Sequence, residues 1–296
     1  MSSFKTAMLN GLRFLLFRAT ALDRLLPSVT AGKNANSLVA KLPPNPGQYQ
    51  APYIRRATRD GIRYELDLSD FMEWCTYYGI AIEARDALYG LAKPGDVVVD
   101  VGANIGEVAL NLASCVGTEG AVYAFEASPL VYQKLVRNLS LNHISNVNSF
   151  TLGLSDQPGV AKLEMPRGNR GGGSLLFGQT ENPVSTVELV RLDDVWDFGR
   201  PRLDLIKIDV EGHEFRVLGG AERVLRRYKP CLFIELNDSN LRRHGSSAKE
   251  LLQLVRRLGY ETRDAATGER LSPEQAFEAR HLDFVATISQ SASARS

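Results

Sequence analysis

From residue 96 onward, short apolar runs alternate with longer segments in which apolar positions recur every three or four residues. The pattern predicts strands over 96–100, 121–125 and 147–151, with helices over 105–116 and 130–141 between them. Strands separated by helices of this length imply right-handed crossovers and a parallel sheet. Two further apolar runs, 203–208 and 231–236, flank a predicted helix over 214–228. The segments 251–258, 260–263 and 284–288 then supply a helix and two closing strands. The expectation is an α/β fold of Rossmann-like type, mostly parallel, with helices on both faces.

Ahead of this alternation, Leu9, Leu12, Leu15, Leu16, Ala19, Leu22 and Leu26 are spaced as in an amphipathic helix. Arg13, Arg18, Asp23 and Arg24 interrupt it, and its longest uncharged apolar run is far too short to span a membrane. This N-terminal helical extension is expected to pack on the domain or on a second subunit, with peripheral membrane attachment as the other reading. Pro43, Pro44, Pro46, Gly47 and Pro52 mark a linker. The expected organisation is an extension and linker over 1–52, a main domain over 53–288 and a disordered polar tail over 289–296. The Gly-rich stretch 167–173 is expected to form a mobile loop near the site.

The strand Val97-Val98-Val99-Asp100 runs into Val101-Gly102-Ala103-Asn104-Ile105-Gly106 and then a helix, the ligand-binding corner of a doubly wound sheet. A dinucleotide site needs glycine two residues after Gly102, because a pyrophosphate must approach the backbone closely. Asn104 stands there, so a nucleoside ligand without phosphates fits better. The next strand ends in Glu126, whose carboxylate can accept from both ribose hydroxyls. Further on, Lys207, Asp209, Glu211 and His213 alternate along one segment and would project to one side while it stays extended. A helix starting near His213 would stabilise Asp209 and Glu211 as carboxylates through its positive end. Glu235, near the end of the neighbouring strand, would reach the same crevice.

Composition narrows the partners. Thirty-five Lys and Arg balance 34 Asp and Glu, a net charge of +1, so no overall field favours nucleic acid. The three cysteines, Cys75, Cys115 and Cys231, have neither a disulfide-framework count nor zinc spacing. They read as small buried hydrophobes in a reducing, cytoplasmic setting.

Taken together, Val99-Asp100-Val101-Gly102-Ala103-Asn104-Ile105-Gly106, Phe125-Glu126-Ala127-Ser128-Pro129, Gly153-Leu154-Ser155-Asp156 and Ile208-Asp209-Val210-Glu211-Gly212-His213-Glu214 resemble the FkbM family of methyltransferases over about residues 76–288. The resemblance implies a class I methyltransferase sheet and S-adenosyl-L-methionine as cofactor. It also implies methylation of a hydroxyl on a sugar, glycoconjugate or polyketide-like small molecule. Under it, Glu83, Asp100, Gly102, Ala103, Asn104, Gly106, Glu126, Ala127, Ser155, Asp156 and Asp209 line the cofactor. Lys207, Asp209, Glu211, His213 and Glu235 form the catalytic group, with His213, Asp209 or Glu235 as the base. No metal is assigned, although Asp209, Glu211 and Glu235 holding a divalent cation is an alternative. RNA ribose methylation stays open because of Lys207, Asp209 and Glu235; so does an inactive cofactor-binding scaffold.

Overall fold

The computed structural model describes residues 8, 11, 13, 25–34, 37–81, 84–165, 174–176, 184–196, 201–277 and 281–288. Most of the predicted N-terminal helix, the Gly-rich stretch 167–173, Glu83 and the tail 289–296 lie outside them. The chain divides into two compact units, the first running to Arg85, whereas the sequence reading starts the main domain after Pro52.

The first unit contains helix α1 (Leu26–Thr30), the antiparallel hairpin β1 (Ile54–Arg59) and β2 (Ile62–Asp67), and helix α2 (Phe71–Tyr78). The hairpin and α2 were not anticipated from sequence. Asp70 caps α2 by accepting from the backbone N–H groups of Met72 and Glu73, satisfying donors that a helix start leaves free. The Pro-rich stretch packs against this helix. Trp74 Nε1 donates to the Pro44 carbonyl at 2.8 Å, and the hydroxyls of Tyr49 and Tyr78 lie 2.8 Å apart.

The second unit takes in helix α3 (Arg85–Leu91) from Asp86 onward, followed by β3 (Val97–Val101), α4 (Glu107–Val116), β4 (Ala121–Phe125), α5 (Pro129–Ser140) and β5 (Val147–Phe150). Next come short strands β6 (Gly153–Leu154), β7 (Gly159–Glu164), β8 (Ser174–Leu176) and β9 (Val184–Val190), then α6 (Leu192–Val195) and β10 (Leu205–Ile208). The chain finishes with α7 (Glu214–Gly219), α8 (Glu222–Tyr228), β11 (Cys231–Asn237), α9 (Asp238–Arg243), α10 (Ala248–Arg257), β12 (Tyr260–Asp264) and β13 (His281–Ile288). The main sheet has the order β12-β13-β11-β10-β3-β4-β5, and every strand except β13 runs the same way. That order, with one antiparallel strand slotted between the last two parallel ones, is the class I methyltransferase sheet.

Two differences from the sequence reading have clear causes. The predicted helix over 214–228 is two helices, because at Gly220 a side chain would sit 1.9 Å from the Ser155 carbonyl and the Gly220 carbonyl accepts from Asp193 N. A close backbone crossing interrupts the turn there. The residues from 153 to 190 contain a second sheet, β6-β9-β7-β8, which its half-exposed strands concealed.

The two faces of the main sheet differ. Val97, Val99, Val101, Tyr123, Phe125, Ile206, Ile208, Ile234 and Phe284 share one apolar cluster with Val224 and Leu225 of α8 and Leu251 and Val255 of α10. The strand registers put Asp100, Lys207 and Phe233 side by side on the other face. Glu235 and Asp283 pair directly on that face, and His281, two residues from Asp283, shares it. Charged positions of four strands, β3, β10, β11 and β13, therefore fall on one side of the sheet.

Candidate active site

β3 ends in a turn that requires special backbone. Gly102 has φ 76°, and a side chain there would stand 1.9 Å from the Asp209 carbonyl, so only glycine lets the loops after β3 and β10 meet. Asn104 also adopts a left-handed conformation, φ 50°, which asparagine tolerates better than most residues. Ala103 N donates to Phe125 O, and Gly106 caps the start of α4. Glu126 is buried at the end of β4, one carboxyl oxygen accepting from Asn104 N at 2.9 Å and the other from Ser128 N at 2.8 Å. Burial raises its carboxyl to about 7, against the opposing pull of those two N–H groups and of Lys207. Ala127 faces the β6 backbone at Gly153.

Lys207 is buried between β3 and β10. Its ammonium lies 3.2 Å from Asp100 Oδ1 and 3.6 Å from Asp209 Oδ2, and donates to the carbonyls of Gly102 at 2.9 Å and Val101 at 3.3 Å. Such a saturated cation ties the two loops together. Asp209 is half-exposed.

The expected alternation from Lys207 to His213 stops at Asp209. The strand ends at Ile208, and Glu211 with Gly212 turns through positive φ, so the four side chains do not share a side. Glu211 accepts from Asn240 Nδ2 at 2.8 Å. Burial and Asp209 raise its carboxyl above the ordinary range, contrary to the expected stabilisation as a carboxylate. The carboxyl that the turn's backbone holds is Glu214, whose Oε1 accepts from Val210 N at 3.1 Å and Gly212 N at 3.0 Å, although burial raises it to about 7. His213 joins a different group: its Nε2 lies 3.0 Å from Ser155 Oγ, and its ring meets His244 edge-on. Burial, with His244 and Arg216 nearby, lowers it to about 4, so it is neutral. Asp156 belongs to the same group, 3.3 Å from Arg216 Nη1 and hydrogen-bonded by Ser155 Oγ.

Glu235 is buried on β11, with His281 Nε2 2.7 Å from its Oε1. Burial and the charge of Asp209 push the Glu235 carboxyl up, and Glu235 in turn raises His281. Glu214 and His281 were missed in sequence. Glu214 lay inside the quoted motif without a role, whereas His281 carried no local signal and is found only through the β11–β13 register. Among the described residues, no group of three His, Cys, Asp or Glu is arranged to hold a metal ion. The three thiols are free, and burial pushes Cys75 up to about 12 and Cys231 to about 11, as befits inert packing groups.

The profile of the methyltransferase FkbM domain matches residues 100–262, more than half of the chain. The chain belongs to the FkbM methyltransferase family. The matched span starts at Asp100 and takes in Lys207, Asp209, Glu214 and Glu235. Similar proteins include the methyltransferase sdnD of Sordaria araneosa, 32% identical over 50% of this chain and 73% of that one. The hexuronic acid methyltransferase AglP of Haloferax volcanii is 33% identical over 46% of this chain and 54% of its own. The 31-O-demethyl-FK506 methyltransferase FkbM of Streptomyces tacrolimicus is 32% identical over 44% of this chain and 61% of its own. Against the last two relatives, the chain spans just over half of their length. Among the described residues, no helix is long and apolar enough to cross a membrane.

Proposed function

We propose that this methyltransferase uses S-adenosylmethionine to methylate a hydroxyl group of a sugar, glycoconjugate or polyketide-like small molecule. The observation that carries the reading is Glu126. Each of its buried oxygens accepts one backbone N–H, which leaves lone pairs on both for the two ribose hydroxyls of a nucleoside. Asn104 standing where a dinucleotide site needs glycine supports a ligand without pyrophosphate. The residues therefore fit that cofactor, which when bound supplies an electrophilic methyl group on a cationic sulfur.

Glu126 would hold the ribose, with the Gly102 turn beside it, and Ser155 with Asp156 would face the base. Asp100 is neutralised by Lys207, so the net negative charge available to a sulfonium is that of Asp209. Methyl transfer needs chiefly an acceptor oxygen held about 3 Å from the methyl carbon and a group to receive its proton. Glu235 is suited to the second task, since burial beside Asp209 gives its carboxylate a raised proton affinity. The names of the sugar and macrolide methyltransferases among the relatives support a hydroxyl acceptor.

Binding to RNA would need a basic groove, and the arginines of α8 give it no support. Arg226 pairs with Glu222, Arg223 approaches Asp194, and Arg227 lies over the Tyr228 ring. The test is calorimetric titration with S-adenosylhomocysteine, then transfer of tritiated methyl from S-adenosylmethionine to a panel of glycosides that includes methyl glucuronide. Cofactor binding with label on a sugar oxygen is expected. Absence of binding overturns the cofactor assignment, and label on nitrogen or carbon overturns O-methylation.

A further inference from the structure

The pair Glu235 and His281 spans the boundary between the buried acid row and solvent. Glu235 keeps only 9% of its side-chain surface exposed, while His281 keeps 64%, yet Nε2 and Oε1 are 2.7 Å apart. The second oxygen, Oε2, is buried without a hydrogen-bond partner among the described residues. A buried carboxyl oxygen without a hydrogen-bond partner, on a strand position of the charged face and with its twin bonded to an exposed imidazole, gives a proton one end to enter and another to leave.

We propose that His281, acting through Glu235, carries the acceptor's proton from the methyl-transfer site to water. The inference rests on the O-methylation reading. In the transfer, the new O–C bond forms as the S–C bond breaks with its electron pair left on sulfur. The acceptor O–H bond also breaks, and its proton goes to Glu235 Oε2. Neutralising Glu235 removes the negative charge that holds the extra proton on the ring, so His281 releases one proton to water. The ring then turns its bare nitrogen to Glu235, the carboxyl rotates to present its proton, and transfer of that proton to the ring restores the carboxylate–imidazolium pair. One proton enters at the buried oxygen and one leaves from the exposed ring.

The surroundings favour this direction of travel. Asp209, Glu211 and Glu214 act on Glu235 from the β10–α7 turn, and all three raise its proton affinity or oppose its charge. His281 is faced by Glu235, Asp283 and Glu211, which favour the imidazolium. The proton thus finds a receptive carboxyl, and the ring is charged and ready to discharge when that carboxyl is neutralised.

The experiment compares wild type with His281→Gln, which can still donate to Glu235 but cannot exchange a proton. Methyl transfer to the best glycoside of the panel is measured across pH, with and without added imidazole. His281→Gln is expected to lose kcat on the order of tenfold or more while the acceptor KM stays. Added imidazole should restore most of it, which a purely structural loss would not allow. In parallel, NMR titration of the imidazoles should find His281 protonated above its ordinary range in wild type and returned towards it in Glu235→Gln. Wild-type transfer combined with an undiminished or imidazole-insensitive His281→Gln overturns the relay alone, as does an ordinary titration of His281 in wild type. A wild type that methylates no hydroxyl overturns the O-methylation reading, and the relay with it.

Discussion

Lys207 Nζ and Asp100 Oδ1 lie 3.2 Å apart in the interior of the sheet, and both side chains are almost fully withdrawn from water. Removing one member of such a pair strands the other charge. Lys207→Met is expected to destabilise the fold by about 3–5 kcal/mol in chemical denaturation. The double variant with Asp100→Asn should recover part of that loss, because the stranded carboxylate is gone. Additive losses would mean that the two groups do not interact.

Glu126→Gln keeps the shape of the side chain but replaces one acceptor oxygen by a donor, which cannot receive both Asn104 N and Ser128 N. A weakening of S-adenosylhomocysteine binding by about 1.5–3 kcal/mol is expected from the loss of charge-assisted bonds. Calorimetry on the folded variant measures it, and unchanged affinity removes Glu126 from the ribose site.

His213 lies 3.0 Å from Ser155 Oγ and is held neutral, which suits it to positioning the 155–156 turn rather than to taking a proton. His213→Ala is expected to raise the KM for S-adenosylmethionine more than it lowers kcat. A fall in kcat of about 10²- to 10⁴-fold at unchanged KM would identify it as the base instead. There is also a signature in stability. Its folded value, about 4, lies below the ordinary 6.5, so the unfolded chain binds more protons between them and stability is lost as pH falls through that window. His213→Asn should flatten that part of the curve.

Glu214 has the opposite sign. Burial raises it to about 7 from an ordinary 4.5, so the folded protein takes up a proton between those values, and stability falls as pH rises through them. Glu214→Gln keeps an oxygen for Val210 N and Gly212 N while removing the titration. Denaturation midpoints across pH should therefore decline less steeply in the variant than in wild type.

Gly102→Ala would drive a methyl group into the Asp209 carbonyl. Both loops must then shift, so lower thermal stability and weaker S-adenosylhomocysteine binding are expected together. A variant that binds normally would show that the loops can separate without harm to the site.

Local patterning by itself determined the alternating strands and helices from residue 97, the ligand corner at Gly102 and the terminal acid Glu126, because each depends on neighbours within one strand and the turn that follows. The predicted strand over 121–125 agrees residue for residue with β4, whose buried run is bounded by Gly120 and Glu126. The motif residues also carried the family. Tertiary structure alone decided which charges meet. Lys207 is set opposite Asp100 by the β3–β10 register, and His281 reaches Glu235 across β11 and β13, more than 40 positions apart in sequence. It also parted His213 from Lys207 and Asp209, because positive φ at Glu211 and Gly212 ends the alternation that the sequence suggests. Periodicity records which side of an element a residue takes, but register and turn geometry are properties of packed backbones, and no single segment contains them.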